Sequence, residues 1–384
     1  MDHLHENQDS IENEIFSHMK SKSKARGNDL AVALFDTTSV VYYGKGDEEE
    51  SLLNYGFSKA RRSDLKQIVV GVAMTKDGIP LSHKMYSGNT NDLSCFEAML
   101  KKFRKDHNQS KITFVGDRGL ISDKNVDLLV SSGYQYILGF KMRTIAKKER
   151  SELLQKTNLR SIKENLEYKD IEYRGKRIIV YYNNERAQKD RLKREEILER
   201  LRSKIKGGDI KSIVSSRDCK RFLKIEGKSP NLDLAKIEAD ALFDGIFILT
   251  TNAPTSAKEA VKTYRDLWQC EAGFRTMKSE LELEPLYHRK ERRIRSHVFI
   301  CFLALICKNL LAKSLKEKDK NASYSETIKD LLRLKVLNFR IRNTHISVRT
   351  AIGNHAKAAF KALNMAFPKK VMSYHNEDLV VLSK

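Results

Sequence analysis

Two short apolar segments of this sequence each run into an aspartate. NDLAVALF (residues 28–35) precedes Asp36, and ITFV (residues 112–115) is followed by Gly116 and Asp117. Short continuous apolar runs are typical of strands buried within a sheet. A strand end fixes the backbone while its carboxylate can still reach solvent. We therefore predict an α/β fold in which both aspartates lie at one edge of a sheet.

The segments around these aspartates predict the rest of a sheet. QIVVGVAMTKDGIPLSHKMYSG (residues 67–88) indicates two strands joined at Asp77-Gly78, because Asp-Gly supplies the positive φ of a tight hairpin. Residues 92–104 carry apolar side chains at helical spacing. A helix near 122–132 and a strand at 134–141 follow. The predicted order is a three-stranded meander, a helix, a fourth strand, a helix and a fifth strand.

The composition changes after residue 141. Residues 141–230 contain 27 lysines and arginines against 14 aspartates and glutamates, a net +13 out of +22 for the whole chain. IEYRGKRIIVYY indicates a hairpin, and ERAQKDRLKREEILERLRSK a highly charged helix. We interpret residues 142–240 as a basic, strand-containing insertion that faces the same side as the aspartates. The alternative is a solvated charged surface without a partner.

A second informative stretch follows the strand GIFILTT (residues 245–251). Ser256 and Glu259 have the spacing of a capping box at the start of a long helix. In YRDLWQCEAGFRTMK, helical geometry would put an aromatic, a carboxylate and a cation on one narrow face. The residues of that predicted face are Tyr264, Trp268, Glu271, Arg275 and Lys278. The two aromatic residues could equally belong to the core.

The three acids, in this order and on these elements, suggest a ribonuclease H-like core. Asp36, Asp117 and Glu271 would converge and bind hard divalent cations through oxygen, which suits Mg²⁺ or Mn²⁺. Two such ions can activate a hydroxyl nucleophile and stabilise the leaving oxygen in phosphodiester displacement. Taken singly, an aspartate after a strand is more often a turn or helix cap, and Glu271 alone would be a surface residue.

Composition points to an anionic partner in the cytoplasm. A net charge of +22 attracts polyanions, with nucleic acid as the first candidate and an anionic membrane as the rival. The longest strongly apolar run, VFICFLALIC (residues 298–307), is half the length of a membrane span and indicates a buried helix. The polar start predicts no signal peptide, and five cysteines without a CxxC pair fit a reducing compartment.

These segments resemble a DDE transposase of bacterial insertion sequences, specifically the insertion-sequence-four superfamily. Its signature around the third acid is Tyr-x2-Arg-x3-Glu-x6-Lys, matched here by Tyr264, Glu271 and Lys278. Leu267 stands where the signature has arginine, as in one branch of that superfamily. SGNTND (residues 87–92), FDGIFILTTN (residues 243–252) and PLYHRKERRIRSH (residues 285–297) are similar to the same branch. The resemblance covers about residues 1–315.

The resemblance implies roles for individual residues. Asp36, Asp117 and Glu271 would be catalytic and would bind two Mg²⁺ or Mn²⁺ ions. The residues that would contact DNA are Tyr264, Lys278, Arg275 and Arg118. The partners would be double-stranded DNA at transposon ends, target DNA and a second copy of the chain, with no membrane. Some members stack a flipped base on a tryptophan of the insertion, but the only tryptophan here is Trp268, which leaves hairpin formation at the donor end open.

The predicted organisation has five parts. They are an N-terminal helical segment (1–27), the first part of the core (28–141), the basic insertion (142–240), the second part of the core (241–315) and a C-terminal helical region (316–384). Only 35 residues precede Asp36, fewer than the end-binding domain of complete relatives requires, so a truncated copy is expected.

Two other functions fit parts of the sequence. A haloacid-dehalogenase-like phosphatase would also use a strand-end aspartate, but its general acid two residues later would fall on Thr38. A non-catalytic basic protein would bind DNA through phosphate contacts and would need none of the three acids.

Overall fold

The computed structural model describes residues 2–25, 32–45, 52–59, 61–107, 112–141, 145, 149, 153–155, 157–207, 221–226, 229–342 and 344–375. The helices are α1 (Asp2–Glu6), α2 (Gln8–Ala25), α3 (Asp92–His107), α4 (Asp123–Ser131), α5 (Asn184–Lys206), α6 (Leu234–Ala241), α7 (Ala257–Arg265), α8 (Trp268–Ser279), α9 (Glu291–Lys318), α10 (Tyr324–Arg333) and α11 (Asn354–Ala362). The strands are β1 (Val32–Val41), β2 (Gln67–Met74), β3 (Pro80–Ser87), β4 (Thr113–Gly116), β5 (Gln135–Gly139), β6 (Arg160–Lys163), β7 (Leu166–Tyr173), β8 (Lys176–Asn183), β9 (Leu223–Glu226), β10 (Ser229–Leu232), β11 (Ile246–Thr251), β12 (Val336–Ile341), β13 (Thr344–Arg349) and β14 (Val371–His375).

A nine-stranded mixed sheet, with strand order β3-β2-β1-β4-β5-β11-β8-β7-β6, organises the molecule. Strands β1, β2 and β3 form the predicted antiparallel meander, and Gly78 turns the β2–β3 hairpin with φ of 75°. Strand β4 pairs in parallel with both β1 and β5. The predicted class, a ribonuclease H-like α/β core with a strand-containing insertion between the second and third acids, is confirmed.

Strand β1 continues past Asp36, which corrects the prediction that it ends there. Residues 37–41 are Thr-Thr-Ser-Val-Val, all buried and paired with β2 as far as Val41 opposite Gln67. Branched side chains favour extended backbone in a half-buried sheet, and the second neighbouring strand stabilises it. Because β4 ends at Gly116, its pairing with β1 stops at Phe35, and beyond it the Ser39 carbonyl and the Val41 amide of β1 bond to the side chains of Lys278 and Glu284. Residues 28–31 lie outside the described residues.

Helices cover both faces of the sheet. On one face, α3 packs its predicted apolar stripe, including Phe96 and Phe103, against Phe35 and Phe114. On the other face, α8 and α9 pack against β1, β2 and β3. Helix α9 contains VFICFLALIC and is the one described helix long and apolar enough to cross a membrane. Its residues Val298, Phe299 and Phe302 are buried in the core, as predicted for a core helix.

The predicted hairpin and charged helix of the basic insertion are confirmed as β7–β8 and α5. Strand β8 also pairs with β11, so β6, β7 and β8 extend the main sheet. The helix is anchored by Arg194, whose guanidinium donates two hydrogen bonds of 2.6 Å to the carboxylate of Asp244. Residues 208–220, 227 and 228 of the predicted insertion lie outside the described residues.

The long helix predicted after Ser256 is two helices, α7 and α8, and the prediction of one continuous narrow face is wrong. The predicted cap is present, since the Ser256 hydroxyl accepts a hydrogen bond from the Glu259 amide at 3.2 Å. Helix α7 packs over β4, β5, β7 and β8, whereas α8 packs over β1 and β2. The chain turns at Asp266 and Leu267 because the two apolar stripes cover different parts of the sheet.

The region after residue 316, predicted to be helical, also contains an antiparallel sheet, β12-β13-β14. Apolar and polar residues alternate in this segment, with Leu337, Phe339 and Ile341 interleaved with Asn338 and Arg340. A period of two favours a strand over a helix. We refer to α10, β12, β13, α11 and β14, residues 324–375, as the C-terminal module.

Candidate active site

The register of two parallel strands brings Asp36 and Asp117 together. Phe35 on β1 pairs with Gly116 on β4, so the next residue of each chain segment is an aspartate. Neighbouring strands lie about 4.8 Å apart, which places the two backbones side by side. The predicted convergence of these acids therefore follows from hydrogen bonding within the sheet.

Asp36 is a half-buried carboxylate with only partial compensation of its charge. Burial raises its pKa to about 6, and the nearby charges of Asp92 and Asp117 act in the same direction. Lys59 opposes them, with its Nζ 4.0 Å from Asp36 Oδ1, and the Thr37 amide donates to the same oxygen at 2.7 Å. This carboxylate would be stabilised in its charged form by any further cation that approached it.

Asp117 is held by its own turn and by Tyr264. Its Oδ1 accepts hydrogen bonds from the Arg118 amide at 2.6 Å and from the Tyr264 hydroxyl at 3.2 Å. Burial and the charge of Asp117 raise the pKa of Tyr264, so its hydroxyl stays protonated and remains a donor. Tyr264, which we predicted to contact DNA, orients a site carboxylate here.

Glu271 lies in the first turn of α8, where it is exposed. The preceding residue, Cys270, places its Sγ 3.6 Å from the Leu34 carbonyl oxygen, so this turn lies directly against β1. Burial raises the pKa of the Cys270 thiol, and the charges of Asp36 and Glu271 add to this effect. The Cys270 thiol therefore lies close enough to the Asp36 and Glu271 carboxylates to be affected by the charge of both.

The candidate metal ligands are of the chemical type that a hard divalent cation prefers. Two neighbouring aspartates and a glutamate on the adjoining helix offer only hard oxygen ligands, as Mg²⁺ and Mn²⁺ prefer. Burial raises the pKa of Asp36 despite the opposing charge of Lys59, so a bound cation would stabilise its carboxylate. Among the residues that the structure describes, no three histidine, cysteine or acidic side chains already form a closed metal cluster.

Lys278 contacts protein groups at the far end of α8. Its Nζ donates to the Ser39 carbonyl oxygen and lies 3.3 Å from Glu284 Oε2. Glu284 also accepts a hydrogen bond of 2.8 Å from the Val41 amide. Glu282, four residues after Lys278, would be its partner in a continuous helix, but α8 ends at Ser279 and Glu282 has φ of 55°, so Lys278 pairs with Glu284 instead.

The other predicted site residues lie on exposed surfaces. Arg275 is on the outer face of α8, and the side chain of Arg118 follows the Asp117 turn. Trp268 is 56% exposed, so core packing is not its role. It lines a groove of about 490 Å³ between α8 and α9, together with Thr276 and Lys316.

Sequence reasoning missed a network beside Asp36. The Thr37 hydroxyl donates to Asp92 Oδ1 at 2.5 Å, and Lys59 Nζ donates to the Thr37 carbonyl at 2.6 Å and hydroxyl at 3.1 Å. Asp92 begins α3 and ends the SGNTND stretch, which the sequence marks only through the family resemblance. Lys59 lies in a loop without any pattern to mark it.

Comparison with known proteins identifies the class. A sequence model described as the transposase DDE domain matches residues 27–307, and the chain belongs to this family. No curated protein matches the chain.

Among solved structures, the chain is similar to one chain of a cryo-EM structure of a piggyBac transposase synaptic complex with hairpin DNA. The identity is 10%, the TM-score is 0.40, and the match covers 79% of this chain and 52% of that chain. The present chain thus spans about half the length of that relative.

Proposed function

We propose that this protein is a metal-dependent transposase that cleaves DNA at insertion-sequence ends and transfers the resulting strand. The observation that carries the proposal is the β1–β4 register, which sets Asp36 and Asp117 side by side, next to the helix that bears Glu271. Family membership supports a nuclease or strand transferase. Two-metal phosphodiester displacement is the mechanism that this set of residues fits best.

Each acid has a distinct part in the proposed site. Asp36 and Asp117 would hold metal from the rigid sheet, and Glu271 would complete the ligand set from α8. When bound, Mg²⁺ or Mn²⁺ ions would activate the attacking hydroxyl and stabilise the leaving oxygen. Tyr264 holds the Asp117 carboxylate through its hydroxyl, and Lys59 lies beside Asp36 and balances part of its charge.

Double-stranded DNA is the proposed partner, both at transposon ends and at the target. Arg118 and Arg275 are exposed beside the acids and would contact phosphates. Lys278 would join them by leaving Glu284, and Tyr264 would contact DNA beside Asp117. Strand β8 of the basic insertion borders this site, since the Tyr181 ring packs edge-on against Tyr264 with centroids 6.5 Å apart.

Several finer features belong to the same proposal. Two copies of the chain would act on paired ends as a homodimer, and the protein would work in the cytoplasm, where it reaches the chromosome. Membership of the insertion-sequence-four superfamily rests on the signature at Tyr264, Glu271 and Lys278.

Metal-dependent cleavage of the element's terminal repeats tests the proposal. We expect cleavage with Mg²⁺ or Mn²⁺, none with a chelator, and a loss of about 10³-fold or more in Asp36→Asn, Asp117→Asn and Glu271→Gln. Asp127→Asn is the matched control, since Asp127 is an exposed acid on α4. DNA binding that survives all three changes, with no cleavage by the original chain, would instead indicate a non-catalytic DNA-binding protein.

A further inference from the structure

Most of the C-terminal module, from residue 331 onward, has an excess of cations, whereas the two acids of the module, Glu326 and Asp330, both lie on α10. Residues 331–375 include nine lysines and arginines, three histidines and no aspartate or glutamate. The match to the transposase DDE domain ends at residue 307, so this segment lies beyond it. A folded stretch of this length without acids leaves its cations with no carboxylate of their own segment to pair with.

The sheet of the module separates these residues by face. In the β12–β13 pairing, Asn338 lies opposite Ser347, Arg340 opposite His345, and Val336 opposite Arg349. Side chains of directly opposed residues point to the same side of a sheet. We call the side that carries Asn338, Arg340, His345, Ser347 and Arg349 the cationic face.

The opposite side of the same sheet is uncharged on β12 and β13. Leu337, Phe339 and Ile341 lie there, opposite Val348, Ile346 and Thr344. On β12 and β13 the charged side chains therefore lie on one side of the sheet, which also carries Val336 and, from β14, Met372 and Tyr374, whereas the other side of these two strands carries uncharged residues.

The hydrogen bonds of the cationic face are made to neutral groups. Arg340 Nε donates to the Arg342 carbonyl at 2.8 Å, and Arg349 Nε donates to the Pro368 carbonyl at 2.7 Å. The Ser347 hydroxyl donates to Asn338 Oδ1 at 2.7 Å, which fixes the amide. In the part of the chain that the structure describes, no ion pair joins Arg340, Arg342 or Arg349 to a carboxylate. Within the described residues, the guanidinium groups of Arg340 and Arg349 hydrogen-bond to neutral carbonyl oxygens.

We propose that the cationic face is a second DNA-binding surface, separate from the catalytic site. Arginine, asparagine and serine on an exposed sheet offer the donors that contact phosphate oxygens and base edges. Binding here needs neither metal nor the acids. The inference goes beyond the proposed function and adds an interaction with duplex DNA that does not depend on cleavage.

The apolar side of the module's sheet suggests a rival occupant, a second copy of the chain. Leu337 and Ile341 are 67% and 55% exposed, so this side could also be covered by another sheet. Charge favours DNA for the cationic face, because a second copy would bring the same excess of cations to it. Binding and light-scattering measurements on matched variants separate these two partners.

The experiment measures binding of a short labelled duplex of unrelated sequence to the full chain, in the presence of a chelator and over a range of salt. The variant is Arg340→Gln with Arg342→Gln, which removes one cation of the cationic face and one from the exposed turn that follows β12. The matched control is Lys101→Gln with Lys105→Gln, which removes two exposed cations from α3. We expect the slope of log K against log salt to flatten by about 0.9 for each phosphate interaction that the arginine variant removes, and to stay unchanged in the lysine variant.

An unchanged slope in the arginine variant would overturn the inference. A Leu337→Asn variant, followed by light scattering, tests the rival: if it lowers the mass of the particle and weakens DNA binding while the arginine variant does neither, the module serves self-association. Since all binding is measured without metal, a chain that binds through this face and never cleaves would refute the proposed function alone.

Discussion

The main sheet and the sheet of the C-terminal module use the same secondary structure in opposite ways. Strands β1, β2 and β4 are covered on both faces, whereas Asp36 is only partly buried and Asp117 is exposed. Every residue of β12 is exposed, and its segment carries cations and no acids. Burial in the first sheet raises the pKa of Asp36, whose charged form a bound cation would stabilise, and exposure gives the second sheet a surface suited to a polyanion.

The contrast in burial predicts the largest difference in stability. Phe114 is fully buried, whereas Phe339 is 45% exposed. We expect Phe114→Ala to lower the free energy of unfolding by about 3–5 kcal/mol, because it leaves a cavity between β4 and α3. Phe339→Ala should lower it by less than about 1 kcal/mol. Denaturant unfolding followed by circular dichroism measures both losses. Equal losses would show that the difference in burial does not determine the effect on stability.

A buried acid in the core predicts a pH dependence that the module lacks. Burial raises the pKa of Glu12, but His83, Lys102 and Ser82 together outweigh this and lower it to about 2. His83 Nδ1 lies 2.8 Å from Glu12 Oε2, and Lys102 Nζ lies 2.9 Å from Oε1. A lowered carboxylate pKa stabilises the fold above the unfolded value of about 4.5, and this stability disappears as pH falls toward 2.

We expect the loss over that range to be about 3 kcal/mol in the original chain. Glu12→Gln should remove most of this acid dependence, while Glu14→Gln, an exposed change on the same helix, should retain it. Unfolding midpoints measured between pH 2 and pH 7 check the point. If the Glu12→Gln chain shows the original pH profile, the acid sensitivity comes from another group.

The hydrogen bond from the Tyr264 hydroxyl to Asp117 gives a prediction for the candidate active site. Tyr264→Phe removes the hydrogen bond to Asp117 and retains the ring that packs on Tyr181. Loss of a group that orients a metal ligand typically lowers activity about 10–100-fold. We expect a loss of about 10–100-fold in the cleavage rate of Tyr264→Phe. DNA binding measured in the presence of a chelator should fall far less. Tyr287→Phe, at a tyrosine 64% exposed, serves as control. Equal activity of the two variants would remove Tyr264 from the site.

The smallest expected effect concerns the surface of the charged helix. Arg191 Nε lies 2.8 Å from Glu195 Oε1 on α5, with both side chains largely exposed. Arg191→Gln should change the free energy of unfolding by only about 0.3–0.5 kcal/mol, since exposed pairs four residues apart contribute little. DNA binding in the presence of a chelator provides a second comparison. If Arg191→Gln weakens it as much as the Arg340→Gln and Arg342→Gln variant does, the basic insertion and the cationic face contribute equally to DNA binding.

Local patterns sufficed to predict much of the core. Continuous apolar runs predicted β2, β4, β5 and β11, Asp-Gly predicted the β2–β3 turn, and Ser256 predicted the start of α7. These signals work because each depends on a few neighbouring residues and on the period of the element. The order of the three acids on these elements predicted that they converge, and the family resemblance added the roles of individual residues.

The sequence by itself determined most of the main-sheet elements and the acids that follow their apolar runs, because burial patterns and turn chemistry depend on neighbouring residues. Only the tertiary structure decided the rest. The register of β1 on β4 aligned Asp36 with Asp117, and packing over different strands divided α7 from α8. The fold also brought Lys59 and Asp92 to Asp36 and paired Lys278 with Glu284. Such contacts join residues that are distant along the chain, so no local pattern specifies them, and the sheet fixes them only once it has formed.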